Sequence, residues 1–186
     1  MRYIKIFEEF TNDNILYNWI TLTRGDGTDK ASNPESIDRL EKLLIYGIKF
    51  GKNDGGGLDN DRWNKKNEKY PYCISTTRNK RWRWGPNEIR VTLNKQKIEN
   101  SFKIEPIQYA ASYSTFYNGN KDGTYKHEFE ERIYSKKDKY LGTNCIIKIE
   151  ATKKIFDVLS KLKNPNNIEL VLNDNLVNDT LASARG

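Results

Sequence analysis

The stretches ILYNWITLTRGDG at residues 15–27 and NPESIDRLEKLLIYG at residues 33–47 decide the fold. The first has β-branched and aromatic residues up to Leu22 and glycines after it, which predicts a strand that ends in a turn. The second places apolar residues at helical spacing behind a cap, either Asn33 or Ser32, and stops at a glycine. A strand followed by an amphipathic helix predicts a domain of mixed α and β structure.

Further elements are predicted wherever apolar and β-branched residues run between polar stretches. We expect strands at residues 72–77, 88–93, 102–107 and 143–150, a helix at 153–163, and a strand or helix at 168–172. In the 88–93 stretch the apolar residues alternate with polar ones, which is typical of a strand with one buried face. Residues 51–69 and 110–127 are polar, and they predict loops.

The length and composition predict a single folded domain over residues 1–186. Charged residues make up 31% of the chain, but an aromatic share of 12% supplies bulky core material that disordered chains lack. The formal charge of +7 favours an anionic partner such as nucleic acid, a nucleotide or an acidic protein. Because the lysines are spread along the whole chain, a solvated basic surface is the alternative interpretation.

Several classes of protein are excluded by what the sequence does not contain. No apolar run reaches the roughly 20 residues of a membrane-spanning helix, and the first residues do not have the apolar core of a signal peptide, so we expect a cytoplasmic protein. Cys73 and Cys145 lie in apolar runs without metal-ligand spacing, which predicts buried free thiols and no metal site. The lone His127 is expected to be structural or exposed.

Three places along the chain carry side chains suited to chemistry. Arg24 stands beside glycines, where a guanidinium and exposed amides are able to bind phosphate. Ser75 and Thr76 lie near the end of a predicted strand, where hydroxyl groups are able to orient a ribose. Glu128 and Glu130 share one face in extended chain, so one carboxylate is able to stabilise positive charge while the other orients a nucleophile.

The order of these motifs resembles that of the ADP-ribosyltransferase superfamily, in which an Arg, a Ser-Thr-x strand and a Glu-x-Glu motif follow one another. The segments ISTTR, IRVTL, FKIEP and EFEERI, at residues 74–78, 89–93, 102–106 and 128–133, also look like a group of uncharacterised phage-associated proteins. The resemblance spans roughly residues 15–150. It implies an α+β fold, an ADP-ribosyltransferase-like split β-sandwich with flanking helices, and NAD as a substrate.

By similarity to the superfamily, the roles fall on particular residues of this chain. Arg24 would contact NAD, and Ser75 with Thr76 would order the site. Glu130 would hold the nicotinamide ribose and act as the catalytic carboxylate, with Glu128 selecting the acceptor.

The chain departs from the superfamily pattern at two positions. Glu131 follows Glu130 where an uninterrupted apolar strand is usual, so either of the two could be the catalytic carboxylate. Asn18 stands in the first strand where a related subclass has histidine, so Asn18 is an alternative to Arg24 as the NAD-contacting position, and an inactive site is then expected.

A second candidate site is the basic and aromatic block RNKRWRWG at residues 78–85. Arginines that pair with phosphates and tryptophans that stack on bases are typical of single-stranded nucleic-acid binders. The alternative is that the tryptophans belong to the core or to a hairpin. The residues expected to bind a substrate or nucleic acid are Arg78, Arg81, Trp82, Arg83 and Trp84.

The sequence therefore predicts an NAD-dependent ADP-ribosyltransferase that modifies a host or bacterial protein or nucleic acid, as a phage effector or toxin in the bacterial cytosol. The alternative from another class is a non-catalytic basic phage protein that binds nucleic acid or a host defence protein. The two are distinguished by whether Arg24, Ser75 and Glu130 converge on one cleft.

Overall fold

The structure, a computed structural model, describes residues 14–20, 22, 33–52, 69–78, 80, 88–106, 130–137 and 139–176. It shows a mixed α+β architecture with a mostly open sheet and few helices. The broad fold class expected from the sequence is confirmed, and its ADP-ribosyltransferase-like version stays a prediction.

The described strands are short and follow one another along most of the chain. They are β1 (Ile15–Ile20), β2 (Ile48–Lys49), β3 (Gly51–Lys52), β4 (Tyr72–Thr77), β5 (Ile89–Asn94), β6 (Lys103–Pro106), β7 (Glu130–Ser135), β8 (Tyr140–Leu141), β9 (Ile146–Ala151) and β10 (Glu169–Leu172). The helices are α1 (Pro34–Tyr46), α2 (Lys95–Glu99), a 3₁₀ helix (Thr143–Cys145) and α3 (Lys153–Leu159).

Eight of the strands form one sheet in the order β10-β9-β5-β1-β4-β7-β6, with β3 paired to β4 beside this path. The β10 and β9 strands run parallel, and the other pairs of this sheet in the described residues are antiparallel. Strands β2 and β8 form a separate antiparallel pair. The sheet therefore brings together segments of chain that are more than a hundred residues apart.

Helix α1 begins and ends where its sequence predicts. The Asn33 side chain accepts a hydrogen bond of 3.0 Å from the Ser36 amide, so Asn33 and not Ser32 is the cap. Gly47 ends the helix at φ +94°, a backbone conformation that residues other than glycine rarely adopt. A Cβ at this position would lie 1.9 Å from the Leu141 carbonyl oxygen. This close approach packs the end of α1 against β8.

The hydrophobic core lies between α1 and one face of the large sheet. Leu40 and Leu44 of the helix are buried with Leu16 of β1, Val91 of β5 and Ile133 of β7 in one cluster. Because alternate residues of a strand point to opposite faces, this face of β1 also carries Asn18. Strands β1, β4, β5, β7 and β9 thus share one core with α1.

Strand β5 is buried on both faces, so the expectation of a strand with one buried face is wrong. Arg90 is 1% exposed and Thr92 is 5% exposed, as if they were core residues. Arg90 is stabilised there by Glu150 of β9, to which it donates two hydrogen bonds of 2.9 and 2.7 Å. Because Glu150 is 60 residues away from Arg90, the residue pattern of the strand itself does not predict that Arg90 is buried.

Two predicted boundaries are corrected at the end of the chain. The strand expected at residues 143–150 begins as a 3₁₀ helix, in which the Cys145 amide donates to the Gly142 carbonyl, and becomes extended only at Ile146. Helix α3 ends at Leu159 and not at residue 163, because the amides that follow bond in turns. The late element is the strand β10.

Cys73 and Cys145 form no disulfide, and the expectation that both are buried holds for Cys145 alone. Cys145 is buried and Cys73 is half-buried. Burial raises the pKa of the Cys145 thiol, and the charge of Lys97 opposes this only in part. Within the described residues, no helix is long and apolar enough to cross a membrane.

Candidate functional site

The large sheet splits between β1 and β4. Along β4, Thr77 pairs with Tyr17 of β1, whereas Tyr72 and Cys73 pair with β3. Strand β1 stays paired with β5 over its whole length, so its second half separates from β4. Among the described residues, the middle of β4 therefore pairs on this edge with neither β1 nor β3.

A cleft of about 570 Å³ opens at this split, and we call it the β1–β4 cleft. It is bounded by the second half of β1, by one face of α1, by the segment from Gly47 to Lys49, and by β4. Its volume lies within the roughly 300–1,000 Å³ of small-molecule sites. The residues that line it include Tyr17, Asn18, Arg39, Ser75, Thr76 and Tyr140.

The predicted motif residues tie the three strands together by side-chain hydrogen bonds. The Asn18 amide group donates to the Ser75 carbonyl oxygen at 2.9 Å, which bridges the split from β1 to β4. The Thr76 hydroxyl donates to the Glu131 carbonyl oxygen at 2.6 Å, which joins β4 to β7. Asn18, Ser75, Thr76 and Glu131 thus form one continuous chain of contacts across β1, β4 and β7.

The Glu131 carboxylate lies between two cations. It is 5% exposed, and its Oε1 lies 2.9 Å from Nε of Arg78 while its Oε2 lies 2.9 Å from Nζ of Lys95. Arg78 and Lys95 keep exposures of 24% and 18%. This arrangement binds the end of β4 and the end of β5 to the start of β7.

Glu130 is the first residue of β7, and its Cα pairs with that of Thr77. Ser75 pairs with Arg132, two residues further along β7. Residues 75–77 and Glu130 therefore lie on neighbouring strands of the sheet.

Several predicted site residues lie outside the described residues. They are Arg24, Arg81, Trp82, Arg83, Trp84 and Glu128, and His127, expected to be structural or exposed, also lies outside them. Of the basic and aromatic block, Arg78 is described, and its guanidinium contacts Glu131. The convergence of Arg24 with Ser75 and Glu130 stays a prediction.

Three cationic residues that line the cleft were missed by the sequence analysis: Arg39, Lys42 and Lys49. Arg39 is an exposed residue of α1 that lines the β1–β4 cleft. Its helix neighbours Asp38 and Lys42 pair with each other at 2.6 Å, which leaves the Arg39 guanidinium available to a ligand. The sequence gives no distinct signal for this role, because Glu35 stands four residues before Arg39 and a helical ion pair is the ordinary expectation at that spacing.

Tyr17 lines the cleft and carries a neutral phenol. Burial raises the pKa of its phenol above the ordinary value, Glu150 raises it further, and the nearby Arg90 charge opposes both. Tyr17 therefore stays protonated and able to donate at neutral pH.

Among the described residues, no group of His, Cys, Asp or Glu is arranged to hold a metal ion. The polar groups that line the cleft are an amide, hydroxyls, two phenols, a guanidinium, the ammonium groups of Lys42 and Lys49, and the Asp38 carboxylate. The donors and cations among them suit a phosphorylated or sugar-containing ligand. Comparison with protein-family models, curated proteins and solved structures found no match.

Proposed function

We propose that the protein is an ADP-ribosyltransferase-like enzyme that binds NAD in the β1–β4 cleft and transfers ADP-ribose to a protein or nucleic acid. The observation that supports this most is the split of the sheet. It places a cleft of about 570 Å³ at β4, the central strand of the three that carry the predicted motifs.

The chemistry requires a carboxylate near the ribose. When the bond between the nicotinamide nitrogen and the ribose breaks, its electron pair leaves with nicotinamide, and positive charge develops on the ribose. An acceptor nucleophile then forms a bond to the same carbon and loses its proton. A fixed negative charge lowers the energy of this transition state.

Glu130 is the residue to which we assign this charge. Its backbone lies beside Thr77, at the strand that borders the cleft. The carboxylate of Glu131 is instead held by Arg78 and Lys95, so Glu131 acts as a structural ion-pair partner in this proposal.

Arg39 is the described residue best suited to a phosphate of NAD. A guanidinium presents several donors in one plane and matches phosphate geometry. Asn18 and Thr76 keep the strands in place by bonding to backbone carbonyls. In the setting that the resemblance implies, the modified molecule would belong to a bacterial host attacked by a phage or toxin.

The test is release of nicotinamide from labelled NAD, measured with and without a bacterial lysate. We expect the Glu130→Gln variant to lose about 10²–10³-fold in rate, because it keeps the size of the side chain and removes its charge. Arg39→Ala should raise KM with a smaller effect on kcat, because a phosphate contact is present in both the ground state and the transition state.

Glu169→Gln is the matched control, since Glu169 is exposed on β10 and distant from β4 in the sheet order. Each variant should melt cooperatively near the wild-type temperature. If folded wild-type protein neither releases nicotinamide nor labels any molecule in lysate, the enzyme proposal is wrong and a binding role takes its place.

A further inference from the structure

A second cavity of about 360 Å³ lies at the β6 and β7 side of the sheet. We call this site, together with the adjoining Lys69, the lysine groove. The residues that line the cavity are Tyr70, Ser101, Phe102, Lys103, Tyr134, Ser135, Lys136, Lys137 and Lys139. Nothing in the proposed NAD chemistry uses this groove.

Its lysines are arranged by the turn after β7. The Ser135 hydroxyl donates to the Lys137 carbonyl oxygen at 2.9 Å, and the Lys137 amide lies 3.3 Å from the same hydroxyl oxygen. This turn presents Lys136, Lys137 and Lys139 as exposed residues on one short segment. Three ammonium groups within four positions, with the acidic Asp138 as the fourth residue, give this segment a net positive charge.

Aromatic rings lie directly beside these charges. The ammonium groups of Lys69 and Lys103 lie 5.7 and 5.6 Å from the centre of the Tyr70 ring, and that of Lys139 lies 4.6 Å from the centre of the Phe102 ring. Both rings are partly exposed. Of the lysines, Lys103 is paired with a carboxylate, that of Glu105.

We infer that the lysine groove binds single-stranded nucleic acid. Lysine ammonium groups neutralise backbone phosphates. The Phe102 ring packs against Phe50 and the Tyr70 ring against Tyr134, so an unpaired base would stack on the partly exposed face that a flexible lysine now covers, as that lysine moves onto a phosphate. An acidic peptide would use the same charges but would gain nothing specific from the flat rings. The combination of both features in one groove therefore favours an oligonucleotide.

The groove adjoins the β1–β4 cleft through strand β8. Lys139 lines the groove, while the next residue, Tyr140, lines the cleft. The Lys139 carbonyl oxygen accepts a hydrogen bond of 3.0 Å from the Phe50 amide, which holds this boundary in place. A strand bound in the groove would pass close to the cleft, so nucleic acid is also the acceptor class that we assign, an assignment that rests on the proposed function.

The experiment uses the full chain and a fluorescent oligothymidylate of about 20 nucleotides, longer than the roughly 4–16 nucleotides of a typical single-strand site. One variant changes Lys136, Lys137 and Lys139 to Ala. The matched control changes Lys154, Lys161 and Lys163, exposed residues of α3 and the segment after it, so both variants lose the same charge.

We expect the groove variant, and not the control, to lose affinity for the oligonucleotide. The slope of log affinity against log salt concentration should become shallower by about 2, which corresponds to three lost phosphate contacts. Tyr70→Leu should weaken binding by about 5- to 100-fold, the effect of one lost base stack, with little change in that slope. Equal weakening in the two lysine variants would show that net charge alone binds the oligonucleotide, and would overturn the inference.

A second arm separates the partner classes and the two proposals. If polyglutamate displaces the oligonucleotide at lower concentration than unlabelled oligothymidylate does, the groove is a site for acidic protein and the inference is wrong. Nicotinamide release is measured without any oligonucleotide. Groove-dependent binding with no NAD turnover would therefore confirm the groove and refute the enzyme, and NAD turnover without groove-dependent binding would do the reverse.

Discussion

Replacing Glu150 by Gln should destabilise the protein more than any surface change, because Glu150 neutralises a buried arginine. Arg90 is 1% exposed and donates to both carboxylate oxygens of Glu150, with the third nitrogen bonded to the Lys80 carbonyl oxygen at 3.1 Å. Its guanidinium also lies 5.3 Å from the centre of the Trp19 ring. The cluster joins β1, β5 and β9, the half of the sheet that forms one side of the β1–β4 cleft.

The size of the stability loss follows from the hydrogen bonds that a glutamine at position 150 is unable to make with Arg90. The glutamine side chain offers one acceptor where Arg90 requires two, and its amide group would face a guanidinium donor. Removing one partner of a buried ion pair costs about 3–5 kcal/mol, and the retained hydrogen bond places Glu150→Gln near 3 kcal/mol. For a chain of this size the melting temperature should fall by about 6–12 °C.

The contribution of Glu150 should also depend on pH. Burial alone would raise its pKa, but the hydrogen bonds and charge of Arg90, with Lys148 and Lys80, hold the pKa below the ordinary value of 4.5. A carboxyl group with a lowered pKa stabilises the folded state fully above its unfolded pKa and loses that contribution as pH falls through the folded value. The stability difference between wild type and Glu150→Gln should therefore narrow below about pH 4.5.

Urea denaturation at several pH values measures these differences through the midpoint and the slope. The double variant Arg90→Met with Glu150→Leu should be more stable than Glu150→Gln, because it removes the unpaired charge as well. A loss below about 0.5 kcal/mol for Glu150→Gln at neutral pH, or a double variant less stable than the single one, would refute the reasoning.

Two further predictions concern the neighbourhood of the β1–β4 cleft. Glu131→Gln should lower the free energy of unfolding by about 1–3 kcal/mol, less than Glu150→Gln, because Arg78 and Lys95 keep contact with solvent. Urea denaturation measures this loss, and a variant as stable as wild type would contradict the structural role of Glu131. Gly47→Ala should cost at least about 2 kcal/mol, since φ is +94° and the new Cβ would meet Leu141. Gly51→Ala is the control, because a Cβ at Gly51 would have its nearest contact at 3.8 Å. An equal fall in melting temperature for the two variants would show that the argument from the Gly47 backbone is wrong.

Local signals in the sequence determined much of the secondary structure. The cap, the first-turn proline and the terminal glycine set the limits of α1, because each satisfies or ends backbone hydrogen bonding within a few residues. Runs of β-branched and aromatic residues located β1, β4, β5 and β6 to within one or two residues. The 3₁₀ start of the 143–150 stretch was missed because a turn of three residues leaves no periodic pattern.

The tertiary structure alone decided which segments meet. Nothing in the sequence shows that Tyr17 pairs with Thr77, that Thr77 pairs with Glu130, or that the sheet splits beside Ser75. These are contacts across 50 residues or more of chain, set by how the whole sheet packs on α1.

The same reason explains the buried charges. Arg90 and Glu131 occupy strand positions that local pattern assigns to solvent or to catalysis, and both are instead buried against partners from other strands. A charge enters the interior only where the fold supplies its counter-charge, and that supply depends on residues far away in sequence. The sequence by itself thus determined the elements and the order of the motifs, while strand pairing decided which motif residues bond to one another and which line the cleft.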